Sequence, residues 1–374
     1  MDGPGPAPNA DISMDELQLA ARNHSMPLEA LRYDITPVGL HYLLTHWDIP
    51  EIDVTTWRLS VGGAVRKPLA LGLDDLTALP WITERLTLEC AGNGRAHFSP
   101  RPISQPWLYE AVGNAEWTGT PLRGLLESAE PLDDSLEVVF TGVDRGVQGG
   151  IEQHYERSLP VAEAMRDDVL VAHRMNGEPL TPQHGYPVRL VIPGWYGMAH
   201  VKWLRSITVI DQRFRGYQQE PAYHLTPSED IPGMPVTRVL PRSLMVPPGI
   251  PEFITRHRYV APGPCDLMGR AWSGHGSITR VEVSADGGAR WADAELGTAD
   301  SEFGWRLWRY RWQAEEGEHE LCCRATDASG RVQPLVINWN AQGICNNEVH
   351  PVRVIVGAGV VPVQPAADPD GGLR

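Results

Sequence analysis

Cysteine is scarce in this chain of 374 residues, and its spacing excludes two common uses of the residue. The cysteines are odd in number and include no Cys-x-x-Cys pair, so the sequence indicates neither a disulfide framework nor a zinc site. They are Cys90, Cys265, Cys322, Cys323 and Cys345. Sparse, scattered thiols of this kind are typical of a protein in a reducing compartment.

Long apolar runs are also missing, and no stretch approaches the roughly 18 residues of a membrane-spanning helix. Residues 1–17 contain neither the apolar core of a signal peptide nor a twin arginine. We therefore expect a cytoplasmic protein without a membrane span. A trimmed export signal would leave the same sequence.

Positive charge is in deficit, with 32 basic against 47 acidic residues and a net charge of −15. Such a balance disfavours nucleic acid and anionic membranes as partners. Any anionic cofactor or substrate must then be held by a local cluster of basic residues. The 42% hydrophobic and 21% charged residues describe a globular protein long enough for two domains.

A strand that leads into a glycine turn carries the most informative cysteine. Leu86 and Leu88 alternate on one face, which puts Cys90 at the inward-facing end of the strand. Gly92 and the following residues allow a tight turn, and Arg95 adds a fixed positive charge. A small buried hydrophobe is the alternative for Cys90. The position favours a ligand or a nucleophile.

A second informative block spans residues 175–204. Arg189 lies within an apolar run and Lys202 lies between apolar neighbours, where an unpaired charge is costly unless an anion meets it. His184 and Arg189 could alternatively be ordinary turn and strand-edge residues. Earlier in the chain, His41 and His46 flank Tyr42 and could ligate a metal, although hydrogen bonding in a buried loop is the preferred interpretation for His41.

Together these segments resemble the sulfite oxidase family. The resemblance rests on Cys-Ala-Gly-Asn at 90–93, Met-Asn-Gly at 175–177, His-Gly-Tyr-Pro-x-Arg at 184–189 and Val-Lys-Trp-Leu at 201–204. It implies one molybdenum per subunit, held by molybdopterin and by the thiolate of Cys90, which suits a soft metal site. The implied cofactor-binding residues are Tyr42, His46, Cys90, Asp144, His184, Arg189, His200, Val201 and Lys202.

The resemblance also implies an α+β fold, in which a mixed α/β molybdopterin domain precedes an immunoglobulin-like β-sandwich. Regularly spaced strands in the C-terminal part agree with a sandwich. We expect an N-terminal extension at 1–30, the catalytic domain at 31–232, the sandwich at 233–356 and a flexible tail at 357–374.

The C-terminal domain of this family implies a homodimer. Trp308, Tyr310 and Trp312 share one strand face, which could contribute to the dimer but is better explained as the core of the sandwich. No segment resembles the haem-binding cytochrome b5 domain. We therefore expect no haem, and a separate electron acceptor for which a cytochrome is one candidate.

The implied reaction is oxygen-atom transfer, with sulfite or a related sulfur compound as the substrate. Arg95 would bind the oxyanion and Trp107 would wall the pocket; bracing of the turn and filling of the core are the respective alternatives. Where the family has an arginine and a tyrosine, Leu44 and Phe214 stand in this chain, and a C-terminal arginine has no clear counterpart.

Three other functions remain open. The same cofactor could serve the reduction of an S-oxide, an N-oxide or nitrate. The chain could also bind molybdopterin with little turnover, or act as an interaction module with a degenerate first domain.

Overall fold

The computed structural model describes residues 12–225 and 233–357. Part of the predicted extension (1–11), the end of the predicted first domain (226–232) and the predicted tail from residue 358 onward lie outside the described residues.

Helices are few and short in the described part of the chain. They are α1 (Met14–Arg22), α2 (Leu73–Ala78), α3 (Leu122–Ala129) and α4 (Val161–Ala164), with 3-10 turns at Leu28–Arg32, Val38–Leu40, Arg95–His97, Pro182–His184 and Gly197–Ala199. At α1, Ser13 Oγ accepts the backbone N–H of Glu16 at 3.2 Å, and Glu16 Oε2 accepts that of Ser13 at 2.8 Å, as a capping box requires. None of the helices within 12–225 and 233–357 is long and apolar enough to cross a membrane.

Two sheets build the N-terminal part. Their strands are β1 (Leu59–Gly63), β2 (Leu69–Leu71), β3 (Ile82–Glu89), β4 (Val112–Pro121), β5 (Glu137–Gln148), β6 (Ile151–Pro160), β7 (Leu170–Met175), β8 (Glu178–Pro179), β9 (Arg189–Val191) and β10 (Leu204–Ile210). One sheet has the order β2-β1-β10-β5-β6, with β1 and β10 parallel. The other has the order β3-β4-β7-β8, with β9 also paired to β7. The sequence thus predicts strand β3 correctly, with Cys90 just beyond its end.

One predicted helix start is wrong. The pattern Thr120-Pro121-Leu122 predicts a helix with Thr120 as its N-cap and Pro121 at the first helical position. In the structure, α3 begins at Leu122 and Pro121 is its N-cap. The reason is tertiary: Thr120 pairs with Val171 in the sheet, and its hydroxyl donates to the Leu76 carbonyl at 3.1 Å. Strand β4 therefore continues to Pro121.

The C-terminal part contains a four-stranded and a six-stranded sheet, which confirms the α+β class and the sandwich. Its strands are β11 (His224–Leu225), β12 (Met234–Pro235), β13 (Arg242–Met245), β14 (Ile250–Pro251), β15 (Arg258–Val260), β16 (Gly263–Trp272), β17 (Ile278–Ser284), β18 (Ala292–Asp293), β19 (Glu295–Leu296), β20 (Arg306–Ala314), β21 (Gly317–Asp327) and β22 (Val352–Val356). The sheets have the orders β13-β16-β20-β19 and β14-β15-β22-β21-β17-β18. Trp308 and Trp312 lie in the core of the sandwich, and Tyr310 packs against it half-buried.

A buried ion pair joins the two parts beside Cys90. Glu89 Oε1 lies 2.8 Å from Nε of Arg242 on β13, and Trp272 Nε1 donates to Glu89 Oε2 at 2.8 Å. Both partners of the ion pair are buried, so removing either would leave an uncompensated charge. The sandwich therefore helps to fix the strand end that carries Cys90.

Candidate functional site

A cavity of about 650 Å³, counted out to its mouth, brings together segments that are far apart in the sequence. We call it the Cys90 cavity. Its lining residues are His41, Tyr42, Leu43, Leu44, His46, Leu88, Cys90, Asp144, Tyr155, His184, Arg189, Gly197, Met198, His200, Lys202, Trp203 and Tyr223. Eight of the predicted site residues are in this set: Tyr42, His46, Cys90, Asp144, His184, Arg189, His200 and Lys202.

Cys90 is held at the end of β3 by its backbone N–H, which donates to the Ala111 carbonyl at 2.9 Å. Burial raises the pKa of its thiol, although the charge of Arg95, the backbone at Gly92 and the side chain of Trp107 favour the thiolate. A cysteine activated by its protein surroundings has a lowered pKa, so these surroundings do not indicate a free nucleophile. A bound metal would deprotonate the thiol directly.

The turn after Cys90 depends on glycine. Gly94 has φ +84°, and a Cβ there would lie 2.8 Å from the Asn346 side chain. A Cβ on Gly92 would meet the guanidinium of Arg95 at 2.5 Å. Glycine at 94 is therefore required by the backbone conformation, whereas a side chain at 92 would displace the guanidinium of Arg95.

Arg189 begins β9 as a buried cation. Its Nη1 donates to the His184 carbonyl at 3.1 Å and its Nη2 to the His200 carbonyl at 3.3 Å, while its Cζ lies 4.7 Å from the Trp117 ring centre. Nε is buried without a hydrogen-bond partner. Burial lowers the pKa of Arg189 to about 10. These contacts orient the guanidinium but do not neutralise its charge.

Lys202 supplies a second positive group, which is half-buried. Its Nζ donates to the carbonyls of Leu44 at 2.9 Å and Gln183 at 3.0 Å, and lies 4.3 Å from the Trp203 ring centre. Burial, assisted by repulsion from Arg189, lowers the pKa of Lys202 to about 7. An anion bound beside it would restore the charged form, because an opposite charge favours ionisation.

Asp144 provides the carboxyl group of the cavity. Burial raises its pKa to about 7, against the attraction of Lys202. Its Oδ1 is buried without a hydrogen-bond partner. An N–H donor on a ligand would satisfy this oxygen.

The cavity histidines are neutral near pH 7, because burial lowers their pKa to about 4 for His41 and His46, about 3 for His200 and about 2 for His184. His200 is fully engaged: Nδ1 accepts the Ile192 N–H and Nε2 donates to the Trp195 carbonyl, both at 3.1 Å. His46 differs, because its Nε2 lies 3.1 Å from the hydroxyl of Tyr223. His46 can therefore exchange a hydrogen bond with a cavity phenol.

Three predicted site residues, Arg95, Trp107 and Val201, do not line the cavity. Val201 packs in the core of the first part, and its backbone groups bond Ala199 and Leu190. Trp107 is buried, and its indole N–H has no hydrogen-bond partner. The indole is nevertheless close enough to Cys90 to favour the thiolate form of that residue. Neither residue is part of the cavity lining, and the roles of Trp107 as a wall and of the Val201 backbone in cofactor binding stay predictions.

Arg95 is directed towards protein carbonyls. Its Nε donates to Gly343 O at 3.0 Å, and Nη1 donates to Ser104 Oγ and Gln105 O, both at 3.1 Å. The bond to Gly343 joins the turn to the C-terminal part, and the bonds to Ser104 and Gln105 fix it to the segment that follows. The structure therefore supports the bracing interpretation of Arg95 over the oxyanion interpretation.

We expect Arg95→Gln to lower the free energy of unfolding by about 2–4 kcal/mol, because charge-assisted hydrogen bonds are lost. Activity per molybdenum should fall equally for anionic and neutral substrates. Thermal unfolding and steady-state kinetics would measure this, with the exposed Arg123→Gln as the control. An increase in KM confined to the anionic substrate would restore the oxyanion role.

Sequence reasoning missed Tyr223. Phe214, which stands where the resemblance expects a tyrosine, does not line the cavity, whereas Tyr223 does. Burial raises the pKa of Tyr223, so its hydroxyl stays protonated near neutral pH. Leu44 does line the cavity, as an apolar residue. No local pattern marks Tyr223, which follows an irregular segment.

The residues present fit an anionic, metal-bearing cofactor. One soft thiol, the buried guanidinium of Arg189 and the half-buried amine of Lys202 line the same cavity. Neither Arg189 nor Lys202 has a carboxylate oxygen within ion-pair distance in the described part of the chain. The free Nε of Arg189 and Oδ1 of Asp144 offer a donor and an acceptor to a ligand. A thiolate suits a soft metal, and paired cations suit a phosphate.

Comparison with known proteins identifies both parts. A model of the oxidoreductase molybdopterin binding domain matches residues 46–218, and a model of the Mo-co oxidoreductase dimerisation domain matches residues 240–357. The sulfane dehydrogenase SoxCD from Paracoccus pantotrophus has a similar structure, with a TM-score of 0.77 and 28% identity over 94% of this chain and 86% of that chain.

Relatives by sequence include two enzyme types. Mitochondrial sulfite oxidase of Mus musculus is 36% identical over 86% of this chain and 62% of its own length, so the match leaves over a third of that relative uncovered. The NADH nitrate reductase of Solanum lycopersicum is 32% identical over 87% of this chain and 39% of its length. Sulfite oxidase of Gallus gallus is 34% identical over 84% of this chain and 72% of its length. The chain therefore belongs to the sulfite oxidase family of molybdopterin-dependent oxidoreductases.

Proposed function

We propose that this protein carries out oxygen-atom transfer at a molybdenum cofactor and oxidises sulfite or a related sulfur compound. The observation that carries the proposal is the meeting of Cys90 with Arg189 and Lys202 in one cavity. A cavity of this kind can hold a soft metal at one point and a phosphate at another.

Each cavity residue has a role in this proposal. Cys90 provides the metal-binding thiolate, and Arg189 and Lys202 hold the anionic part of the cofactor. Asp144 accepts an N–H from the ligand at its free Oδ1. When bound, the cofactor supplies two-electron oxygen-atom transfer, while the protein supplies orientation and charge.

Tyr223 and His46 form the side of the cavity that we assign to substrate. The phenol hydroxyl and His46 Nε2 are 3.1 Å apart, so one can donate while the other accepts. Tyr223 OH can thereby present a donor or an acceptor to a substrate oxygen. Leu44 adds no charge at the position where the resemblance expects an arginine.

A reductase of nitrate or of an S- or N-oxide is the second candidate. The similarity to the nitrate reductase of Solanum lycopersicum supports it. The apolar side chain of Leu44 in the cavity lining also suits a neutral S- or N-oxide better than the anionic sulfite.

An anaerobic substrate screen tests the proposal. Purified holoprotein would be mixed with sulfite or thiosulfate as reductants, and, after reduction, with nitrate, a sulfoxide or an N-oxide. We expect sulfite to bleach the absorption of the oxidised molybdenum-thiolate centre. Bleaching by none of the reductants, with reoxidation by nitrate or an oxide, would replace the proposal by the reductase. No response at all would indicate cofactor binding with little turnover, and absence of molybdenum would indicate an interaction module.

The proposal also includes a separate electron acceptor, for which a cytochrome is one candidate. It further includes a homodimer formed by the C-terminal part. The dimerisation-domain match supports the homodimer. Sedimentation at micromolar concentration should show a species of twice the 41.3 kDa chain mass, and a purely monomeric profile would refute the dimer. A cytoplasmic location remains a prediction.

A further inference from the structure

Arg157 on β6 is a buried cation that has no carboxylate partner among the described residues. Only 1% of its surface is exposed, and no aspartate or glutamate oxygen of the described chain forms an ion pair with it. Nη1 donates to the Gln218 carbonyl and Nη2 to the Val236 carbonyl at 3.3 Å, while Nε is buried without a partner. Carbonyl oxygens solvate a guanidinium but leave its charge uncompensated.

This charge lies next to the Cys90 cavity without lining it. The Cζ of Arg157 is 5.8 Å from the ring centre of Tyr223, whose hydroxyl reaches His46. Tyr155 lies two residues earlier on β6, so it shares a face of the strand with Arg157, and it lines the cavity. The Tyr155 hydroxyl already donates to Met198 O at 2.7 Å. Arg157 can therefore act on Tyr223, because this cavity phenol lies beside the guanidinium and its hydroxyl has His46 as a titratable partner.

The two carbonyl bonds of Arg157 also clamp the segment that carries Tyr223. Gln218 precedes this tyrosine and Val236 follows it, so Arg157 holds the chain on both sides. The Gln218 side chain adds a bond to Gln148 Oε1 of β5 at 2.8 Å. The irregular segment thus depends on β5 and β6 for its position.

We propose that Arg157 is a positioning residue that fixes Tyr223 in the cavity and supplies positive charge for a small anionic substrate or product. The inference rests on the proposed function and extends it. Leu44 is apolar, and Arg95 does not line the cavity but acts on His46 and Tyr223 through its charge. Arg157 therefore adds a second buried positive charge beside the cavity. Burial lowers the pKa of Arg157 while the neighbouring tyrosines oppose this, which agrees with a charge that still lacks its anion.

The expected effect follows from Coulomb's law. Two unit charges roughly 8 Å apart, in surroundings with an effective dielectric constant of about 20, change a binding constant by roughly ten- to thirtyfold. Loss of the Arg157 charge should weaken anion binding by this factor. Loss of its position should in addition lower kcat, because Tyr223 would no longer be held towards His46.

The test uses the holoprotein and three variants. Arg157→Gln removes the charge, Arg157→Lys keeps it, and Arg258→Gln is the matched control. Arg258 is also a buried arginine that donates to backbone carbonyls, those of Pro247, Pro248 and Gly249, but it does not line the cavity. It differs from Arg157 in having a carboxylate partner, Glu29 Oε1 at 3.6 Å. For each protein we would measure molybdenum content, the Kd of sulfate by calorimetry, and kcat and KM for sulfite.

We expect Arg157→Gln to raise the Kd of sulfate and the KM for sulfite by roughly tenfold or more at unchanged molybdenum content. Arg157→Lys should keep the sulfate Kd within about threefold of wild type while lowering kcat. Arg258→Gln should change only stability. Wild-type sulfate affinity in Arg157→Gln, or equal losses of affinity in both Arg157 variants, would overturn the inference.

Two further outcomes remain decisive. If Arg157→Gln does not fold, Arg157→Lys alone decides, and a tenfold weaker sulfate Kd in that variant overturns the inference. If the wild-type holoprotein neither binds sulfate nor oxidises sulfite, the proposed substrate class fails and the inference fails with it. Wild-type activity combined with an unaffected Arg157→Gln variant rejects the inference alone.

Discussion

Replacement of Cys90 by serine should abolish the metal-thiolate absorption and lower turnover by more than about 100-fold. Serine replaces a soft, ionisable sulfur by a hard hydroxyl that stays protonated near neutral pH, so it is a poor ligand for molybdenum. The change is nearly isosteric, and the backbone N–H bond to Ala111 does not depend on the side chain. Absorption spectroscopy, metal analysis and kinetics on the same preparation would measure the effect.

Cys265→Ser is the matched control for this variant. Cys265 is half-buried on β16, away from the Cys90 cavity, and should tolerate serine without a change in spectrum. Full activity and an unchanged metal spectrum in Cys90→Ser would show that this thiol is not the ligand.

Local sequence patterns were enough to predict a site residue where the pattern lies within one strand or turn. The alternation of Leu86 and Leu88 predicts the strand that ends at Cys90, and the isolated charges of Arg189 and Lys202 predict buried cations. Both kinds of signal depend on near neighbours in the sequence. The structure then buries Thr87 and Glu89 of the same strand as well, because its other face meets the C-terminal part.

Contacts between distant segments account for what the sequence could not predict. The direction of Arg95 is set by the carbonyl of Gly343, in the other part of the chain. Tyr223 reaches the cavity from an irregular segment that Arg157 holds through backbone carbonyls. Neither arrangement follows a period of two or of 3.6, so neither leaves a pattern in the sequence.

The family resemblance pointed to Phe214 as the counterpart of the family's tyrosine, but the structure brings a different residue to the cavity. This resemblance, taken over a few residues, assigns Phe214 to the place of a tyrosine, but irregular segments have no period that fixes the alignment. In the structure, Phe214 packs against Gly216, where a Cβ would lie 2.2 Å from its ring. The phenol comes instead from Tyr223, beside His46. Side-chain contacts, rather than position in a motif, decide which residue faces the cavity.

Replacement of Arg189 by alanine should lower cofactor occupancy by roughly tenfold or more, because charge-assisted bonds to a phosphate contribute about 1.5–3 kcal/mol each. Lys202 would remain, but burial lowers its pKa to about 7, so it carries only part of a charge near neutral pH until an anion binds. It therefore cannot replace the guanidinium. Molybdenum and pterin content per protein chain would measure the loss.

Arg189 also contributes to the stability of the fold, and the experiment must separate this contribution from cofactor binding. Alanine leaves the carbonyls of His184 and His200 without this donor and uncovers the Trp117 ring, so thermal stability should fall too. Arg258→Ala removes a buried guanidinium outside the cavity, one that also pairs with Glu29 at 3.6 Å, and should lower stability at full occupancy. Because Arg189 is assigned to the cofactor and not to the substrate, activity per bound molybdenum should stay within about threefold of wild type. Full occupancy with reduced stability in Arg189→Ala would leave this residue a structural role only.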